Sequence, residues 1–112
     1  MEPTYFKDGN YIYECKSSPE NKDGPINNNS LRSWTRDAKN LLNRHRPSGF
    51  RYIFPVNRVD SSNEAVLEKL KEDCPSVDIQ YYDCDSVARL IRALEKVNSL
   101  PDLVAYIKQA RR

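Results

Sequence analysis

The run Tyr5-Phe6-Lys7-Asp8-Gly9-Asn10-Tyr11-Ile12-Tyr13-Glu14-Cys15-Lys16 decides how the chain folds. Asp8-Gly9-Asn10 is a turn signal between two stretches rich in aromatic and β-branched residues. Thr4–Lys7 and Tyr11–Lys16 therefore read as the strands of a β-hairpin. Alternate residues of a strand point to one face. Glu14 and Lys16 thus share a face, and Cys15 turns to the other, where it reads as core. A carboxylate beside an ammonium offers a ligand for a hard cation and a charge to hold water or a phosphate oxygen. The competing reading is a same-face ion pair of little energetic weight. Charged residues make up 30% of the chain, so such a triplet can arise by chance and its surroundings must decide.

Working outward, Ser17–Asn29 holds Pro19, Gly24, Pro25 and three successive Asn, the composition of a surface flap beside the strand end. Ser30 can cap a helix to about His45, with Leu31, Trp34, Ala38, Leu41, Leu42 and His45 at helical spacing. Arg46-Pro47-Ser48-Gly49 stops it. Phe50–Val56 reads as a short apolar strand. Ser61 and Glu64 form a capping box for a helix to about Asp73, which Cys74-Pro75 ends. Val77, Ile79 and Tyr81 alternate as a further strand, and Asp83 or Asp85 can cap a helix Ser86–Val97. Ser99-Leu100-Pro101 opens a last helix with Leu103, Val104 and Ile107. The order ββαβαβαα implies one α/β (α+β) domain over residues 1–112. Its sheet is four-stranded and mixed, opened by an antiparallel hairpin and flanked by helices.

Composition narrows the function classes. The length, 112 residues, suits a single domain. A mean hydropathy of −0.80, no membrane-length apolar run and no signal-peptide pattern at Met1-Glu2-Pro3 point to an intracellular protein, cytoplasmic or nuclear. Three cysteines without C-x-x-C spacing, and one histidine, argue against a disulfide framework and a zinc site. The net charge of +2 is unevenly spread. Arg32, Arg36, Lys39, Arg44, Arg46, Arg51 and Arg58 face a single acid, Asp37, across the middle of the chain, while the flanking segments are acidic. A basic zone of this kind suits a polyanion; the plainer reading is an Arg-rich solvated surface.

A hairpin ending in Glu14-Cys15-Lys16, followed by helix, strand, helix and strand, resembles the PD-(D/E)xK nuclease superfamily, the restriction-endonuclease-like fold. Asp8–Lys16 is similar to its second core strand. Ile79–Asp85, with the apolar helix Val87, Leu90, Ile91 and Leu94, is similar to its closing strand and helix. The resemblance implies metal-dependent phosphodiester hydrolysis with Mg²⁺ or Mn²⁺, by a nuclease or by the nuclease-like domain of a larger nucleic-acid enzyme. Glu14, a first acid upstream and the Cys15 backbone carbonyl would hold the metal, and Lys16 would orient the attacking water. The partner would be nucleic acid, DNA ahead of RNA, with a homodimer or a longer parent protein also expected. The helix after the strand would lie over the site, where Arg32, Arg36, Lys39 and Arg46 share one sector and could contact phosphates.

Geometry restricts the first acid. Asp8 is six residues from Glu14, roughly 20 Å along a strand, too far to share a metal with it. Glu2 reaches the Glu14 face if a three-residue loop Asp8-Gly9-Asn10 pairs Thr4 with Glu14 and Phe6 with Ile12. The second function class is a catalytically inactive nucleic-acid-binding or protein-interaction module on the same fold. Asp83-Cys84-Asp85 also suggests a Toprim-like Mg²⁺ site, though Cys15 follows Glu14 where Toprim domains usually have Gly, and helix capping explains the two acids more simply. Trp34 and His45 lie on the apolar helix face and read as core.

Overall fold

The computed structural model describes residues 5–94 and Ala105. Glu2, Thr4 and, Ala105 apart, the expected last helix lie outside them. Two hairpin strands open the chain, β1 (Tyr5–Asp8) and β2 (Tyr11–Cys15), and α1 (Asn28–His45) follows. The chain continues through β3 (Gly49–Ile53), α2 (Ser61–Asp73), β4 (Asp78–Tyr82) and α3 (Cys84–Leu94). The sheet order is β1-β2-β3-β4, antiparallel at β1·β2 and parallel at the other two pairings. The mixed α/β sheet expected from the hairpin and the alternating elements is therefore present.

The hairpin register departs from expectation. Tyr5 pairs with Glu14, Phe6 with Tyr13 and Asp8 with Tyr11, leaving a two-residue Gly9-Asn10 loop. Asp8 keeps its place in the ladder because Gly9 takes the left-handed conformation alone, with φ +59°. A glycine at the first central position is what a type II′-like turn requires, and its twist matches that of the strands. Glu14 and Phe6 thus take partners one residue away from those expected.

Strand alternation divides the sheet. Ile12, Glu14, Phe50, Tyr52, Ile79 and Tyr81 share one face by register. Ile12, Phe50, Tyr52 and Ile79 are buried in one cluster with Leu31, Ala38, Leu41 and Leu42 of α1 and Leu67 and Leu70 of α2. Both crossover helices therefore cover the same face. Phe50, Tyr52 and Phe54 step along it with ring centroids 4.9 and 4.8 Å apart, each contact worth about 0.5–1.5 kcal/mol beyond burial. Trp34 stacks on Phe54 at 6.2 Å, the core role expected of it. His45 is half-buried, its Nε2 hydrogen-bonded to the Tyr5 hydroxyl at 3.2 Å.

On the other face Arg51 is only 2% exposed, so it does not belong to a basic surface. Its guanidinium donates to the Asp78 carbonyl (2.7 Å) and carboxylate (3.0 Å) and lies over the Tyr11 ring at 5.2 Å. Gly49 gives that ring room, since a Cβ there would meet Tyr11 Cε2 at 2.3 Å.

Helix starts were misplaced by a few residues. Asn27, not Ser30, caps α1, its Oδ1 accepting from the Asn29 and Ser30 amides. The capping box of α2 is Asp60 with Asn63 rather than Ser61 with Glu64. The Asn63 amide and then the Ser62 hydroxyl, both donating to Asp60, hold its carboxyl below the usual carboxylate range. Asp83 accepts from the Ser86 amide and hydroxyl at the start of α3.

The Ser17–Asn29 segment is not a loose flap. Pro19–Asn21 form a 3₁₀ turn, Ile26 and Ser18 are buried, and Pro25 makes a parallel bridge to Arg58. Two fully buried amides pin it. Asn57 accepts from the Ser18 amide (2.8 Å) and donates to the Ser18 and Asn21 carbonyls (both 3.0 Å). Asn63 accepts from the Ile26 amide and donates to the Ile26 carbonyl and to Asn28 Oδ1.

Candidate nucleic-acid interface

The parallel β2-α1-β3-α2-β4 connectivity lays α1 and α2 side by side and brings their N-termini together. Asn28 Nδ2 donates to Ser62 Oγ at 2.9 Å across that end. Between the helices runs a groove of about 620 Å³. Arg32, Arg36 and Lys39 line it from α1, and Lys69 and Asp73 line it from α2. Its floor includes Val66 and Leu70. Three of the four basic residues read as one stripe in the sequence therefore share a groove. Lys69 was missed because it lies 30 positions further on, on a different helix, and only the tertiary packing places it opposite. Arg46 does not join them. It is the C-cap of α1, in the left-handed conformation at φ +47°, and borders a smaller cavity of about 220 Å³ with Cys74 and Pro75.

The groove is electropositive for two reasons. Among the described residues, ion pairs engage Lys39 (with Asp73, 3.5 Å), Arg51, Arg58 and Lys71. Arg32, Arg36 and Lys69 have no carboxylate partner among them. Arg32 and Arg36 instead donate to the neutral side chains of Asn29 and Ser33. Two helix N-termini at the Asn28–Ser62 end add the positive end of each macrodipole.

Glu14 and Lys16 are placed differently. Glu14 is 5% exposed, on the sheet face beneath the helices, opposite Tyr52. Burial first, and then the charge of Glu14, push the Tyr52 phenol far above its ordinary value. Lys16 directly follows β2, is half-buried, and its amide extends the ladder by donating to the Ile53 carbonyl at 3.0 Å. Cys15 does lie on the opposite face from Glu14, yet it is exposed rather than core. β2 ends at Cys15, so its side chain sits at the strand's edge rather than mid-sheet.

Among the described residues, no three His, Cys, Asp or Glu side chains converge to hold a metal, and Glu14 faces a tyrosine under the helix layer. The described residues alone do not supply the expected metal site. Cys84 stands near Asp85, Asp83, Arg58 and Asp23, but burial and then the nearby acids raise its thiol. Cys15 and Cys74 are raised as well, again by burial first. None is poised as a thiolate nucleophile.

No described helix is long and apolar enough to cross a membrane. Comparison with family models, with curated proteins and with solved structures returned no match.

Proposed function

We propose that this chain is a nucleic-acid-binding module whose α1/α2 groove holds the sugar–phosphate backbone. The observation that carries the reading is the convergence of Arg32, Arg36 and Lys39 with Lys69 from a second helix. Phosphate contacts of this kind supply affinity that is independent of sequence and sensitive to salt. Three phosphate contacts correspond to a loss of about 40-fold in affinity between about 50 and 200 mM salt. The test is fluorescence anisotropy of a labelled nucleic acid with the full chain. The Arg32→Gln/Arg36→Gln variant should lose most binding and most of the salt dependence while keeping its circular dichroism spectrum. Unchanged affinity in that variant refutes the reading.

Metal-dependent hydrolysis is a second reading, favoured by one feature. Glu14 and Lys16 come at the carboxyl end of β2 beside parallel β3, the edge where α/β sheets commonly present ligand sites. It needs a first acid from outside the described residues to complete the ligand set with Glu14 and the Cys15 carbonyl, and the pairing of Tyr5 with Glu14 is not the register expected to bring Glu2 to that face. Titration with Mg²⁺ or Mn²⁺ while following amide shifts separates the two. Cleavage that is lost in Lys16→Ala, with metal-dependent shifts at Glu14 and Cys15, supports hydrolysis. Binding without cleavage or metal shifts leaves the binding module.

A further inference from the structure

We infer that the groove takes the phosphate ridge of a duplex in preference to a single strand, reads charge and not bases, and is restrained by Asp73. This rests on the reading of the groove as a backbone-binding site. Single-strand binders draw sequence-tolerant affinity from aromatic side chains on which bases stack. Among the described residues, no aromatic side chain lines this groove. The nearest candidate by sequence, Trp34, is turned inward and committed to Phe54. What remains for recognition is cationic charge, helix N-termini and short polar side chains, and these address phosphates.

Charge density then favours a duplex. Arg32, Arg36 and Lys39 are spaced i, i+4, i+7 along α1, about 10 Å at 1.5 Å per residue. A duplex presents a phosphate for about every 1.7 Å of axis, twice the density of either of its strands. Over that length a duplex carries about six phosphate charges against about three on one strand, so the same cations sit in a stronger field. Arg32, Arg36 and Lys69 bring the positive charge. Lys39 is held at 3.5 Å by Asp73, whose own carboxylate lines the groove and repels the ligand.

The experiment compares the full chain on labelled duplexes of about 20 base pairs and on each separated strand over a salt series. The duplex should bind about fivefold or more tighter, with a log–log salt slope near −3, about −0.9 per contact. Two unrelated sequences should agree within about twofold, since backbone contacts carry no sequence information. Asp73→Asn should tighten binding and steepen the slope by about one, and Arg36→Gln should flatten it by about one. If Arg36→Gln does not fold, Lys69→Gln on the opposite wall carries the same expectation. A single strand bound as tightly as the duplex, tenfold or so discrimination between sequences, or no effect of Asp73→Asn overturns the inference. So does displacement of the duplex by polyglutamate at equal charge concentration, which marks an acidic polypeptide as the occupant. Failure to bind any nucleic acid overturns the groove reading too, whereas a single-strand preference removes only the duplex.

Discussion

Replacing Asn57 with alanine should be among the most damaging polar substitutions in this chain, although no charge or catalytic atom is touched. The side chain is fully buried and makes three hydrogen bonds, two to Ser18 and one to the Asn21 carbonyl. Alanine deletes all three. Ser18 is itself only 3% exposed, so its amide is left without a partner where water does not readily reach it, while its carbonyl keeps the Asn21 amide at 3.1 Å. The Asn21 carbonyl belongs to an exposed residue and can be rehydrated. One orphaned buried amide, at about 1–3 kcal/mol, and the loss of one donor from each of two carbonyls, at about 0.5–1 kcal/mol each, set the loss at about 2–4 kcal/mol. Against a total stability of about 5–15 kcal/mol that is a large fraction. Urea denaturation should show a lower midpoint with unchanged slope, and the melting temperature should fall by about 10–20 °C. Hydrogen exchange should place the weakening first at Ser18 and the 3₁₀ turn. A loss under about 1 kcal/mol, with the Ser18 amide still protected, refutes the assignment of Asn57 as the pin of this segment.

Other outcomes follow from the same geometry. Gly49→Ala should cost about 1–3 kcal/mol because its Cβ would enter the Tyr11 ring at 2.3 Å. Adding Tyr11→Ala should restore part of that, and strict additivity in a double-mutant cycle counts against the clash. Burial and Glu14 raise the Tyr52 pKa, so the folded state keeps that proton where the unfolded chain has released it. Stability should therefore decline as pH rises past about 10, and the decline should be shallower in Tyr52→Phe. Equal slopes in the two proteins refute that linkage. Asn63→Ala should destabilise by an amount similar to Asn57→Ala and also loosen the start of α1, since Asn63 holds both Ile26 and Asn28. Unaltered amide exchange at residues 26–28 contradicts this.

The elements were legible wherever hydrophobic period or turn chemistry was local. The apolar spacing of Leu31, Ala38, Leu41 and Leu42 marked α1, and Ile79 marked β4. Register was not legible, because Asp8-Gly9-Asn10 is compatible with several loop lengths. The choice depends on which residue accepts the left-handed conformation, and Gly9 alone did. Caps slipped for a related reason. Asn27-Asn28-Asn29-Ser30 offers four capping side chains in a row, and the winner is set where Asn63 grips Ile26 and Asn28. Arg51 looked like surface charge within a basic block, but its strand is buried on both faces and Asp78 supplies the counter-charge. The groove was half legible: helical period aligned Arg32, Arg36 and Lys39, but Lys69 came from long-range packing.

The position of α1 bears on how binding and hydrolysis relate. Its apolar face closes the core over the side of the sheet that carries Glu14, while Arg32, Arg36 and Lys39 line the groove on its flank toward α2. A backbone seated in the groove is therefore separated from Glu14 by the body of a helix, about 10 Å across with its side chains. The two readings place nucleic acid on different surfaces of the molecule. If this protein cleaves, its substrate must approach the carboxyl end of β2, and the Arg32→Gln/Arg36→Gln variant should cut with an unchanged rate at saturating substrate. If instead both binding and cleavage collapse in that variant while its fold is kept, the groove and the strand end act on one substrate, and Glu14 must then become accessible on binding. That would require the Tyr52 contact to open, and Tyr52→Phe would raise the cleavage rate rather than leave it unchanged.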